Sequence, residues 1–210
     1  MSQAHNSFVF STTDNFEQIP SQQWMRKNLP DLLLKYRPSS SSVICEIGVG
    51  NGEFLSYLSS RGFKVTGIEP SSTGFAIAKE KFPKLHIHNI AAEDPYPKEI
   101  KECELYICLE VIEHVFSPRK FLTSIYDQIP NNSTLIISTP YHGYLKNLCL
   151  SILNLWDRHF TVGWECGHIK FFSKKTLRSL SEGAGFSVEK VQCYGRIPYL
   201  WRSMIFVLRK

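Results

Sequence analysis

In Val43-Ile44-Cys45-Glu46-Ile47-Gly48-Val49-Gly50-Asn51-Gly52, a short apolar strand runs straight into a turn in which three glycines alternate with other residues. Glycine is needed where the backbone takes dihedrals closed to other residues and where a ligand must approach without a Cβ in the way. The turn is therefore a candidate cradle for a cofactor. A dinucleotide-binding turn has the form G-x-G-x-x-G, which here needs glycine at 53, and that residue is Glu53. The G-x-G-x-G form argues against a pyrophosphate and for a nucleoside ligand without phosphates. Glu69 strengthens this reading: it follows the next strand, about 20 residues past the first glycine, where a carboxylate can accept hydrogen bonds from both ribose hydroxyls. A structural glycine-rich turn beside an ordinary surface glutamate is the plain alternative.

Outward from the turn, strand and helix alternate. The pattern predicts helices over 54–60 and 73–82 and strands over 64–68, 85–89, 105–109 and 134–138. Ser117-Pro118 offers an N-cap hydroxyl and a proline at the first helical position, opening a helix to about Ile129. Upstream, 16–36 has helical spacing, with Trp24, Leu29, Leu32 and Leu33 as candidate core residues, and Pro30 predicts a division into two short helices. Beyond Thr139 the sequence predicts a helix over 144–156, an aromatic-rich loop over 160–172, a helix over 173–182 and two adjacent strands over 186–193 and 199–208. The expected fold is α/β: a Rossmann-like, doubly wound, mostly parallel seven-stranded sheet with an antiparallel C-terminal hairpin. Residues 1–42 read as an N-terminal helical extension, and 43–210 as one domain with a substrate-side insertion at about 141–172.

The 210 residues suit one compact α/β domain. An apolar fraction of 43%, with 13% aromatic residues, is enough to bury a core, which excludes a disordered chain. The net charge of +5 is spread among acidic residues rather than massed, so nucleic acid is not an expected partner. Cys45, Cys103, Cys108, Cys149, Cys166 and Cys193 lie far apart with no C-x-x-C pair, as expected of reduced structural thiols. The first ten residues lack a basic and an apolar region, and no apolar run approaches a membrane span, so a cytoplasmic protein without stable membrane insertion is expected.

Glu110, Glu113 and His114 stand at i, i+3 and i+4, so on a helical turn they would share one face and could converge on a hard divalent cation. Capping and packing of a helix is the other use of Glu113 and His114.

Across 43–210 the sequence resembles the class I S-adenosylmethionine-dependent methyltransferases. The resemblance is carried by the 46–52 turn, Gly67-Ile68-Glu69-Pro70, Ala92-Glu93-Asp94 and Leu109-Glu110-Val111-Ile112-Glu113-His114-Val115. It implies that Gly48 and Gly50 lie under the methionine and ribose parts of S-adenosylmethionine, that Glu69 binds the ribose, that Ala92 to Asp94 face the adenine, and that Leu109 contacts the cofactor near its amine. Glu46, Val49, Gly52, Pro70, Glu110 and His114 complete the implied cofactor set. The Glu-x-x-Glu-His segment is similar to the ubiquinone-biosynthesis O-methyltransferase subgroup, which implies a metal such as magnesium at Glu110, Glu113 and His114.

The sulfonium is a strong electrophile, so catalysis mainly requires a nucleophile held in line with its methyl group. For a hydroxyl nucleophile, His168 is the first candidate base, followed by His142 and then His159; a hydrogen-bonded structural histidine is the alternative. Leu145, Leu148, Cys149, Ile152, Leu153 and Trp156 form an apolar helical stripe, with Lys146, Asn147, Ser151 and Asn154 on the other side. The stripe is expected to pack over the substrate end of the sheet; a lid or a peripheral membrane contact admitting a lipid-like substrate is the alternative. Tyr141, Tyr144, Trp156, Phe160, Trp164, Phe171 and Phe172 fit an aromatic or lipid-like small-molecule acceptor, or simply a core. O-methylation is the leading expectation. N-methylation and a non-catalytic cofactor-binding domain are the alternatives, and the absent third Rossmann glycine disfavours a nucleotide-dependent oxidoreductase.

Overall fold

The computed structural model describes residues 20–160, 167–195 and 197–210, without the side chains of 20–24 and 158. Three expectations therefore lie outside the described residues: the start of the first helix at Phe16, the core role of Trp24, and the parts played by Trp164 and Cys166.

Strands β1 (Val43–Ile47), β2 (Lys64–Ile68), β3 (Ile87–His88), β4 (Leu105–Leu109), β5 (Thr134–Pro140), β6 (Ser187–Tyr194) and β7 (Ser203–Arg209) form a seven-stranded sheet in the order β3-β2-β1-β4-β5-β7-β6. The β1–β2 and β2–β3 pairs are parallel, whereas β7 runs antiparallel to both β5 and β6. This is the Rossmann-like sheet with a terminal antiparallel hairpin that the alternation predicted. The chain divides into two compact units, one up to Leu105 and one from Tyr106 to Lys210.

The first unit carries α1 (Pro20–Tyr36), α2 (Glu53–Ser60), α3 (Ser72–Lys81) and α4 (Lys98–Lys101). Pro30 does not divide α1, contrary to expectation. Leu29 and Leu33 flank it at 0% exposure, and burying that face outweighs the one hydrogen bond proline removes. Strand β3 is shorter than predicted because Leu85 is drawn into a turn, its N–H donating to the Phe82 carbonyl at 3.0 Å. The Ser71 hydroxyl caps α3 by accepting from the Gly74 N–H at 3.1 Å.

In the second unit a 3-10 turn (Ile112–His114) precedes α5 (Pro118–Gln128), α6 (Tyr144–Ile152), α7 (Trp156–Phe160) and α8 (Lys174–Gly183). Pro118 opens α5 as predicted, but the Ser117 hydroxyl makes no capping bond. Ser173 and Thr176 form a reciprocal capping box at the start of α8. The helix predicted over 144–156 is two helices, with Asn154 between them in the left-handed region at φ 49°.

Helix α6 does not turn its apolar stripe onto the sheet, contrary to expectation. Ile152 is 72% exposed and Leu153 63%, while Lys146 and Leu150 are buried. The start of α6 is fixed by the stretch before it: Tyr141 bridges to Phe172, and the His142 N–H donates to the Phe172 carbonyl at 2.9 Å. That anchoring turns the Lys146 and Leu150 side inward and leaves the apolar stripe facing water.

Among the described residues no helix is long and apolar enough to cross a membrane. Among those same residues, the five described cysteines form no disulfide.

Candidate active site

In the first unit the glycine turn takes the conformation its sequence demands: Gly48, Gly50 and Gly52 have φ of 85°, 58° and 82°, in the left-handed region that costs a side chain energy. The turn is bonded to the end of β2, with the N–H groups of Gly48 and Val49 donating to the Ile68 carbonyl at 2.9 and 3.2 Å. Val49 points away into a core of Leu55, Ala78, Leu85 and Ile87. Close approach of β2 depends on Gly67, where an added Cβ would lie 2.3 Å from Val49 Cγ2 and 2.9 Å from the Glu46 carbonyl oxygen. The Gly67 motif residue is thus a packing requirement of the turn, which only the three-dimensional structure reveals.

Glu69 sits at the end of β2, 3% exposed. Its two carboxylate oxygens accept from the Gly50 N–H at 2.7 Å and the Ser71 N–H at 2.8 Å. Burial raises the Glu69 pKa, and these two bonds offset only part of that rise. Each oxygen keeps a second lone-pair direction, so the carboxylate is held in place and retains accepting capacity. Glu46 on β1 is buried with Oε2 unpartnered, and burial, followed by the charge of Glu69, pushes its pKa well up. A buried carboxyl oxygen with no partner invites a donor from a ligand. The Ala92-Glu93-Asp94 turn is closed by the Ala91 N–H donating to Asp94 Oδ2 at 2.8 Å; Ala92 is buried, whereas Glu93 and Pro70 are exposed.

In the second unit β4 ends at Leu109, and Glu110, the next residue, adopts φ 55°, a left-handed conformation stored at a site position. The predicted helical face shared by Glu110, Glu113 and His114 does not form, because Glu110 stands outside the short 3-10 turn that holds the other two. Glu110 Oε1 accepts from the Ser138 hydroxyl at 2.8 Å and the Ser203 hydroxyl at 3.0 Å. Glu113 is 0% exposed; Oε2 accepts from the Thr139 hydroxyl at 3.0 Å, and Oε1 has no hydrogen-bond partner. His168 Nε2 lies 3.9 Å from that oxygen. The backbone carbonyl of Glu113 accepts from the N–H groups of Ile169 and Lys170 at 2.9 and 3.0 Å, which holds the His168 stretch against the 3-10 turn. His114 Nδ1 lies 3.3 Å from the Gly167 carbonyl oxygen, and the His114 and His168 rings are 4.9 Å apart, edge to face.

Glu113, His114 and His168 therefore bring one carboxylate and two imidazoles together, with ligand atoms within 4.8 Å of one another. Burial, and then the charge of Glu110, raise the Glu113 pKa well above the carboxylate range. Burial, and then His114, lower that of His168 to about 4. Two neutral imidazoles and a carboxyl oxygen without a hydrogen-bond partner are a donor set that a nitrogen-accepting divalent cation can use, its binding displacing the carboxyl proton. The same shift makes His168 a weaker base than an unperturbed histidine. His142 is buried, its pKa lowered to about 4 chiefly by burial and then by Lys146; its ring stacks on Phe160 and meets His159 and Phe171 edge-on. No motif or spacing linked His168 to Glu113, which stands far upstream, or marked Ser138, Thr139 and Ser203 as the hydroxyls that hold the two carboxylates.

A glycine turn braced by a buried, backbone-bound glutamate, on a sheet of this order, defines a Rossmann-like protein built to cradle a nucleoside. A family model described as a methyltransferase domain matches residues 21–191, and the chain belongs to that family of class I S-adenosylmethionine-dependent methyltransferases. It is an enzyme, and its cofactor is S-adenosylmethionine. Among curated proteins it is similar to the ubiquinone biosynthesis O-methyltransferase of Rickettsia canadensis, 35% identical over an alignment of 168 positions, gaps included, that covers 75% of this chain and 67% of the relative. The corresponding enzyme of Hydrogenovibrio crunogenus is 24% identical over an alignment of 214 positions, gaps included, that covers 90% of this chain and 87% of the relative. The magnesium protoporphyrin IX methyltransferase of Synechocystis, solved with bound SAH, superposes with a TM-score of 0.68 at 16% identity, covering 90% of this chain and 84% of that one. At that identity the likeness is one of fold.

Proposed function

We propose that the chain moves the methyl group of S-adenosylmethionine to a hydroxyl of an aromatic or lipid-like small molecule. In the first unit, Gly48, Val49, Gly50 and Gly52 cradle the cofactor, Glu69 uses its remaining lone pairs on the ribose, Glu46 Oε2 takes a cofactor donor, and Ala92 to Asp94 face the base. The second unit handles the acceptor. The observation that carries the reading is the fully buried Glu113 Oε1, which lacks a partner and faces His114 and His168. These three residues, with Glu110 nearby, suit a divalent cation that accepts nitrogen ligands, such as manganese or zinc, and a cation held there would acidify a bound hydroxyl. His168 then serves as a ligand through its neutral imidazole and not as the base. Orientation of the acceptor oxygen supplies much of what the transfer needs, since the methyl donor is already activated.

The names of the curated relatives support oxygen as the accepting atom. Exposure of the α6 stripe supports an apolar or membrane-borne acceptor, reached by peripheral contact.

The test incubates the protein with S-adenosylmethionine and matched panels of phenols, catechols, amines and lipid hydroxyls, with and without chelator. Mass spectrometry should find one added methyl group on hydroxyl compounds, suppressed by chelator. Manganese binding, read by electron paramagnetic resonance without turnover, should be lost in Glu113→Gln. Methylation of amines alone overturns the oxygen reading, and full activity in chelator with no manganese bound removes the cation.

A further inference from the structure

Lys146 is the most anomalous charge in the second unit. The sequence places it on the polar side of α6, yet the folded chain buries it to 8% exposure, in the first turn of the helix. A lysine there is disfavoured twice. Its ammonium leaves water, and it sits at the end of the helix whose dipole favours negative charge. Neither cost contributes to stability, so the position calls for a different account.

The partners available to Lys146 are few. Its Nζ donates to the Tyr141 carbonyl at 2.7 Å, and an ammonium has three donors. Among the described residues the other two N–H groups have no acceptor, and no carboxylate lies within ion-pair distance. Glu110 acts on it only through space, and its Oε1 already takes two serine hydroxyls. His142, His159 and His168 feel the lysine charge but offer it no compensating negative charge. Burial, and then Arg202, lower the lysine pKa to about 8, which leaves it mostly protonated at neutral pH. Lys146 is not fully enclosed, since it keeps 8% exposure.

We propose that Lys146 binds an anionic oxygen group, such as a carboxylate, carried by the methyl acceptor in addition to the hydroxyl that is methylated. An anion there would take the two N–H groups that no described residue matches and stand at the favourable end of the α6 dipole, so one ligand group would answer both anomalies. Lys146 is thus a specificity residue selecting acidic acceptors over neutral ones of the same shape. The inference rests on the methyl-acceptor reading of this unit, but the binding it describes is measurable without turnover.

The experiment compares 3,4-dihydroxybenzoate with 3,4-dihydroxybenzamide, which differ in charge and little in shape. Calorimetry in the presence of S-adenosylhomocysteine measures binding, and a parallel assay measures KM and kcat. A charge-assisted pair should favour the benzoate by about 10- to 100-fold, in Kd and KM rather than in kcat. The preference should collapse in Lys146→Met and survive in Lys146→Arg. Without ligand, Lys146→Met should melt no lower than the parent, because an under-paired buried charge has been exchanged for an apolar chain of similar length. Equal binding of the two probes by the parent, or a preference kept in Lys146→Met, overturns the proposal. So does a large fall in melting temperature in Lys146→Met together with equal weakening toward both probes, which would mark a structural lysine. Discrimination in binding with no methyl transfer to either probe would instead count against the hydroxyl-acceptor reading and leave the anion site standing.

Discussion

Gly67→Ala offers a strong perturbation of the cofactor turn, applied from its packed side through the Val49 side chain and the Glu46 backbone. The new Cβ would stand 2.3 Å from Val49 Cγ2 and 2.9 Å from the Glu46 carbonyl oxygen. The valine contact can be relieved by rotating a side chain. The carbonyl contact cannot, because Glu46 is in register with Gly67 across the β1–β2 pair. Overpacking of this kind costs about 1–3 kcal/mol, which for a chain of this size lowers the melting temperature by about 2–12 °C. Relief requires the strand ends to separate, and that movement passes to Gly48 and Val49, which hydrogen-bond the end of β2. Affinity for S-adenosylhomocysteine should therefore fall by about tenfold or more, a loss of about 1.4 kcal/mol. Gly62→Ala is the control: it has φ 82° but nothing within 4 Å of the added Cβ, so it should lose stability from backbone strain and keep its cofactor affinity. Thermal unfolding and calorimetry on both variants make the comparison. If Gly67→Ala melts with the parent and binds as tightly, the packing account of the turn is wrong.

Glu113 gives a pH prediction. Its folded pKa is raised, so the group contributes stability below the ordinary carboxylate range and loses it as pH climbs through the raised value. The difference in melting temperature between the parent and Glu113→Gln, measured without metal, should therefore shift against the parent as pH rises; a difference independent of pH would contradict the burial of that carboxyl. Ile152→Glu, at a site 72% exposed, should change stability by no more than about 0.5 kcal/mol but weaken sedimentation with liposomes; unaltered sedimentation would refute a membrane contact through α6.

The local elements that build the cofactor turn were legible because their signals are local. Alternating apolar runs located β1, β2, β4 and β5, the glycine spacing located the turn, and Glu69 followed at the expected distance. What escaped the sequence depended on contacts between distant residues. Pro30 stays within α1 because Leu29 and Leu33 are buried on either side of it. The rotation of α6 is set by the Tyr141–Phe172 bridge, so a periodic stripe could show that one face is apolar but not that this face would be left in water. The acidic cluster was half visible. Glu113 and His114 are neighbours in sequence, but no periodicity links them to His168, and the positive φ of Glu110 breaks the helical spacing on which their shared face was inferred. Lys146 looked like an ordinary solvated residue for the same reason as the stripe.

The central claim is that the Gly48–Gly52 turn and Glu69 together hold S-adenosylmethionine. Its most direct test is a calorimetric titration of S-adenosylhomocysteine into the parent protein and Glu69→Gln. The amide keeps one accepting oxygen but sets an NH2 against a backbone N–H that now donates to the carboxylate, and bonds to a charged acceptor contribute about 1.5–3 kcal/mol each. Binding at about micromolar Kd in the parent, weakened by about 10- to 100-fold in the variant, is the predicted result. No binding to the parent, or equal binding to both proteins, would contradict it.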